Sequence, residues 1–190
     1  MDKRIEKTHA AIKSAFEDLV MANPGKRISV SELTQKANIN RKTFYLHYDS
    51  IDDLWQSYVD EISDDLFSRL TARPSDVYLR ERGLLLTVFA DFFSSNRKFA
   101  SFLLTSNEYG GLISQILRQV AGAMAKVLQR ERHYTADDAL MIATFSVNNM
   151  VAMLRLQLNG DTHMPPEEAR KKILTLTLDG LKGMGLEIPD

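Results

Sequence analysis

The run Asn40-Arg41-Lys42-Thr43-Phe44-Tyr45-Leu46-His47-Tyr48 decides how the rest of the chain is read. At helical pitch it makes about two and a half turns. Phe44 and Tyr48 are four residues apart and therefore share a face. Asn40, Arg41, Lys42, Thr43, Tyr45 and His47 are left for the opposite side. Arginine and lysine offer charge to phosphate, or bidentate contacts to guanine. The Thr43 and Tyr45 hydroxyls and the His47 ring N–H can donate to phosphate oxygens, and the Thr43 methyl can meet thymine.

The residues before this run supply a matching frame. Ser29 with Glu32 three positions on has the spacing of a capping box, which starts a short helix through Leu33 to about Ala37. Asn38-Ile39-Asn40 reads as a turn: Asn38 tolerates left-handed backbone, and Asn40 can cap the next helix, Arg41 to His47. Leu33, Ala37 and Ile39 are expected to pack against Phe44 and Tyr48 as the core of the pair. Taken singly, each polar residue would suit a solvated surface helix. Two short helices, a three-residue turn and aromatic anchors together read as a helix-turn-helix with a DNA-facing side. Ser29 joins Asn40, Arg41, Lys42, Thr43, Tyr45 and His47 in the expected DNA-binding set.

Charge points the same way. The net charge is −1, which argues against an indiscriminate polyanion binder. Residues 1–48 nevertheless hold nine Lys/Arg and five Asp/Glu, a balance of +4, so the rest of the chain carries −5. A basic end on an acidic body suits a nucleic-acid-facing end. The absence of cysteine excludes a disulfide framework and thiolate metal sites, and suits a reducing cytosol. The N-terminus opens into an amphipathic pattern instead of a signal peptide. The most apolar stretch, 139–158, is interrupted by Asn148, Asn149, Arg155 and Gln157, and no run is expected to reach transmembrane length. A cytoplasmic location without membrane contact is the expectation.

The remaining chain reads as helix. Ile5, Ala11, Ile12, Ala15, Phe16, Leu19 and Val20 fall largely on one face, and Asn23-Pro24-Gly25 stops that helix. Ser50 caps a fourth helix carrying Leu54, Trp55, Tyr58, Ile62, Leu66 and Leu70, followed by Pro74. Helices are then expected over 77–94, with a break possible at Gly83, and over 97–105. Further helices follow from Gly110-Gly111 to about Arg130 and from Thr135 to Leu158; the last opens at Pro165-Pro166-Glu167-Glu168 and closes at Gly183 and Gly185. The fold class is all-α with about nine helices, divided into residues 1–50 and 51–190.

In the second part, Phe89, Phe92, Phe93, Phe102 and Phe145 with Asn148 and Asn149 are the candidate lining of a pocket for a small apolar effector. The same phenylalanines would equally serve a packed core. A buried asparagine needs a partner, so Asn148 or Asn149 either bonds a ligand or sets dimer register as polar residues do in coiled coils. Ala169, Ile173, Leu176, Gly180, Leu181 and Met184 recur at helical spacing. Helices 136–158 and 166–184 are therefore the candidate homodimer face. Catalysis has little support. The histidines (9, 47, 133, 163) show no metal-ligand spacing, and no nucleophile elbow, phosphate loop or glycine fingerprint occurs. No metal or cofactor is expected.

The segment Ile28 to Tyr48, above all Thr43-Phe44-Tyr45-Leu46-His47-Tyr48, resembles the helix-turn-helix of TetR-type transcriptional regulators, over about residues 5–55. The resemblance implies an N-terminal three-helix DNA-binding lobe joined by the fourth helix to a C-terminal ligand-binding and dimerisation lobe. It implies a homodimer on a palindromic operator, released by an effector, and repression before activation. Thr43, Tyr45 and His47 match phosphate-contacting positions, and Arg41 and Lys42 sit where base or backbone contacts occur. Three departures matter: Asn38 replaces the turn glycine, Thr34 replaces an alanine at a packed interface, and Ile51, followed by Asp52 and Asp53, replaces a phosphate-gripping lysine. A DNA-binding regulator controlled by a protein partner, and a helical scaffold or enzyme with a vestigial helix-turn-helix, are the competing expectations.

Overall fold

Asn23-Pro24-Gly25 ends the first helix at the expected place, with Gly25 at φ +75°. In the computed structural model, which describes residues 3–81, 83–95, 97–106 and 110–183, that helix is α1 (Lys3–Ala22). It is followed by α2 (Val30–Lys36), α3 (Arg41–Tyr45) and α4 (Ile51–Leu70). Then come α5 (Ser75–Arg80), α6 (Leu84–Ser95), α7 (Arg97–Thr105), α8 (Gly110–Arg132), α9 (Ala136–Leu158) and α10 (Pro166–Gly183). Among the described residues there are ten helices and no strand. The tenth, beyond the nine expected, arises because Gly83, at φ +90°, breaks the 77–94 segment into α5 and α6. A Cβ at Gly83 would lie 2.9 Å from Arg170 Nη2 and 3.1 Å from Leu174 Cδ1, so the break is also where α10 approaches closely. Met184 and Gly185, expected at the end of the last helix, lie outside the described residues.

The capping expectations hold in detail. Ser29, Asn40, Ser50 and Thr135 all sit at N-caps, and each side chain accepts the N–H three residues on. At Ser29 the box is reciprocal, because the Ser29 N–H and hydroxyl both donate to Glu32. Regular helix in α3 ends at Tyr45, two residues earlier than expected; the His47 N–H donates three residues back to Phe44 O (2.9 Å), a tighter final turn.

One continuous core of buried apolar side chains runs from Ile12 to Val151. α1 is clasped to α4: the Phe16 and Trp55 rings meet edge to face at 4.4 Å, the Tyr58 hydroxyl donates to Glu17, and Lys13 pairs with Glu61. α4 then buries Leu54, Tyr58, Val59, Leu66 and Leu70 and packs on α6 and α8. On the α4–α8 surface, Gln115 Nε2 donates to Gln56 Oε1 (2.9 Å) and Gln119 Nε2 to Asp60 Oδ1 (3.0 Å). α9 packs on α7, α8 and α10. By length and composition α9 is long and apolar enough to cross a membrane, which corrects the expectation that no stretch would be. Of its four interruptions only Arg155 is charged, and the Ala, Leu, Met, Val, Ile and Phe side chains between them outweigh all four. In this fold one face of α9 is spent in the core through Ala139, Ala143, Val147 and Met150.

Candidate nucleic-acid interface

Leu33 and Phe44 are fully buried and Tyr48 nearly so, while Ala37 and Ile39 are partly buried against the same core. These five side chains set the angle between α2 and α3. Asn38 takes φ +52°, the left-handed turn conformation expected of it. Thr34 is buried, and its hydroxyl donates to Val30 O (2.8 Å) on its own helix, so the extra oxygen is satisfied without disturbing the interface.

The polar side of α3 is exposed at Asn40, Arg41, Lys42 and Tyr45, with Thr43 and His47 half-buried. Neither Arg41 nor Lys42 has an ion-pair partner among the described residues, and the Tyr45 ring is more than half exposed. Two expected donors are already engaged within the chain. Asn40 Oδ1 accepts from both the Thr43 N–H (2.7 Å) and its hydroxyl (3.0 Å). The Ser29 hydroxyl donates to Glu32 Oε2 (2.7 Å). Those Ser29 contacts, then the Lys26 ammonium, hold the Glu32 carboxyl down at about 2. Sequence reading gave no role to Leu46, yet it is 74% exposed beside the cations. A hydrophobic residue at that exposure is a poor core residue, and its place three positions after Thr43 was the available signal.

His47 is set against α1. Its ring lies edge to face with His9 at 4.6 Å, and His9 Nδ1 shares a 3.0 Å hydrogen bond with the Tyr48 hydroxyl. Burial, then the neighbouring His47 and Lys13, lower the His9 pKa. Beyond α3, Asp53 is occupied with capping, accepting from the Asp49 N–H (2.9 Å). Asp52 instead lines an open cleft of about 620 Å³ with Lys26, Arg27, Tyr45 and, from α8, Gly111 and Leu112. Of the two acids, Asp52 is the one placed beside the exposed α3 side chains.

The seven pocket candidates differ in their surroundings. Phe89, Phe92 and Phe93 are buried and pack on one another, with Phe89 and Phe93 stacked at 6.5 Å and Phe92 and Phe93 edge to face at 5.1 Å. Phe102 is half-buried against the same core. Phe145 is 44% exposed on α9. Asn148 is exposed and donates to Thr144 O (2.8 Å) on its own helix, and Asn149 is half-buried. A separate cavity of about 160 Å³ lies among α4, α8, α9 and α10, walled by Leu70, Met124, Leu128, Ile142 and Leu178. None of the seven candidates lines it. Flat rings that pack on one another leave little space, whereas flexible aliphatic side chains from four helices left this void. Among the described residues no group of three or more His, Asp or Glu could hold a metal ion.

No family model matches the chain. Over 177 residues, 92% of this chain, it is 23% identical to the HTH-type transcriptional regulator YxbF of Bacillus subtilis, of which the match covers 45%. Over 79 residues, 42% of this chain, it is 35% identical to DhaS of Lactococcus lactis, named as a transcriptional activator of the dhaKLM operon, of which the match covers 40%. The chain thus spans under half the length of these curated relatives. A Clostridium perfringens structure described as a fatty acid metabolism regulator superposes with a TM-score of 0.60 at 16% identity, covering 90% of this chain and 97% of that one. The TetR family repressor AlkX of Dietzia superposes with a TM-score of 0.55 at 17% identity, covering 95% and 98%. With a capped helix-turn-helix seated on an all-helical body, and these neighbours in structure, the chain has the fold of TetR-type repressors.

Proposed function

We propose that the chain is a DNA-binding transcriptional regulator that acts as a homodimer on a palindromic operator and lets go when an effector occupies its body. The observation that carries the reading is the unpaired Arg41–Lys42–Tyr45 face of α3, held outward by the buried Phe44 and Tyr48 anchors. The named relatives support it, being regulators of helix-turn-helix type. Residues 1–50 supply the DNA-reading part and residues 51–190 the regulatory and dimerising part, working in the cytoplasm without a catalytic role. Arg41 and Lys42 address phosphate or guanine, and Tyr45, Thr43 and His47 donate to phosphate. Thr43 must first turn its hydroxyl from Asn40. Ser29 contributes by capping α2.

Dimerisation through α9 and α10 is supported by what the monomer leaves exposed: Met141, Phe145 and Leu156 on α9, at helical spacing around Asn148, and Leu176 on α10. A second copy of the same surface would cover these side chains and bring two α3 helices to half-sites about one DNA turn apart. An effector that favours another spacing of the two helices lowers operator affinity by population shift. Repression by occupying the operator is the mode proposed. With Ile51 and Asp52 where a cation would grip phosphate, the nonspecific component of binding is weaker than an uninterrupted basic face would give.

Fluorescence anisotropy on DNA upstream of the chain's own gene, at several salt concentrations, tests the reading. Lys42→Ala and Tyr45→Phe should each weaken binding, and Lys42→Ala should lower the log–log salt slope by about 0.9 if it neutralises one phosphate. Unchanged binding in both variants would sink the assigned roles. A steep slope in the wild type, of the size many phosphate contacts give, would contradict the weak nonspecific grip. In a run-off transcription assay, added protein should lower the transcript; a rise would overturn repression.

A further inference from the structure

We propose that the 160 Å³ cavity among α4, α8, α9 and α10 is a binding site for a small apolar acid, with its hydrocarbon or aryl body inside and its carboxylate toward an arginine-lined mouth. The proposal deepens the effector reading above and rests on it only for the consequence at DNA. Three observations on different groups carry it.

The first is size and lining. Leu70, Met124, Leu128, Ile142 and Leu178 make the wall apolar. An aliphatic-lined void of roughly 150 Å³ accepts a benzene-sized molecule, so a single aryl ring or short branched chain fits and a long chain does not. The second is an orphaned hydroxyl. Thr177, on α10, lines the cavity and is 5% exposed, and its Oγ1 has no hydrogen-bond partner. Buried polar groups in folded proteins almost always have one; a ligand oxygen in the cavity would supply it. The third is charge. Arg73, Arg130 and Arg132 line the mouth against one carboxylate, Glu131. Arg73 pairs with Glu81 and Arg130 with Glu131, both at 3.3 Å, while half-buried Arg132 has no carboxylate partner among the described residues. Glu131 also accepts the Ser75 N–H (3.0 Å). The surplus favours an anionic head and disfavours a cationic one.

Position explains how occupancy would be felt. Leu70 and Thr71 belong to the C-terminal end of α4, which reaches the helix-turn-helix at its other end. Leu174, Thr177 and Leu178 belong to α10, the candidate dimer element. One small molecule would touch both.

Calorimetric titration of the full chain with benzoate, benzyl alcohol and benzylamine separates these elements. Benzoate should bind about tenfold more tightly than benzyl alcohol, and benzylamine should not bind. Thr177→Val should weaken benzoate and benzyl alcohol by about fivefold, while raising the melting temperature of the ligand-free protein. Arg132→Gln should erase the preference for benzoate and leave benzyl alcohol unchanged. The proposal is overturned if neither benzoate nor benzyl alcohol binds at millimolar concentration, if Thr177→Val keeps wild-type affinity, or if benzylamine matches benzoate. DNA binding measured on the same samples separates the two readings: probe binding without operator binding sinks the regulator, and operator binding without probe binding sinks this site.

Discussion

At Asn38 the left-handed backbone is local and testable. At φ +52°, a side chain without asparagine's polar group meets the full steric cost of that region. Asn38→Ala should destabilise by about 1 kcal/mol and Asn38→Gly should not, in denaturant melts. His9 gives a pH dependence with a defined sign. Its folded pKa lies below the unfolded 6.5, because burial and then the adjacent His47 and Lys13 oppose the charged form. Stability from this residue is therefore full above pH 6.5 and falls as pH drops below it. His9→Gln should flatten the loss of melting temperature between neutral and mildly acidic pH; an unchanged slope would show that His9 is not its source. Glu32 acts lower, since its carboxyl, held at about 2 by Ser29 and Lys26, contributes stability above pH 4.5 that is lost as pH falls toward 2.

Among the helices, caps and breaks carry distinct weights. Asn40→Ala removes the acceptor for the Thr43 N–H and frees its hydroxyl. It should cost about 1 kcal/mol in stability and weaken operator binding beyond that loss of fold, because α3 has only five residues and depends on its cap. Gly83→Ala belongs to another class. The residue sits at φ +90°, and the added methyl would press on Arg170 and Leu174 of α10. A loss of about 2 kcal/mol is expected from strain and displacement together. A melting temperature equal to wild type would mean that α10 gives way freely.

For the molecule as a whole, assembly is the decisive question. Phe145→Glu places a charge on the exposed α9 stripe without entering the core, since Phe145 is 44% exposed. Sedimentation should show the wild type as a dimer and the variant shifted to monomer, with circular dichroism unchanged. Operator affinity should fall steeply while binding to a single half-site stays the same. A variant that remains dimeric would remove α9 from the interface.

Local chemistry made most of the helices legible. Caps at Ser29, Asn40, Ser50 and Thr135 and the stop at Asn23-Pro24-Gly25 act within a few residues, so short-range pattern suffices to read them. Phe44 and Tyr48 pointed inward because four-residue spacing settles a helix face. What long-range packing controls was not legible. Phe89, Phe92 and Phe93 packed on one another, and the cavity opened among residues as far apart in sequence as Leu70 and Thr177. His9 met His47 across 38 positions, and Asp52 rather than Asp53 turned toward the cleft. The sequence by itself therefore determined most of the helices, their caps and the exposed polar side of α3, because backbone capping and 3.6-residue periodicity are local. Only the tertiary structure decided where space remains, which buried hydroxyl lacks a partner and which apolar stripe stays uncovered, because each depends on how several helices pack at once.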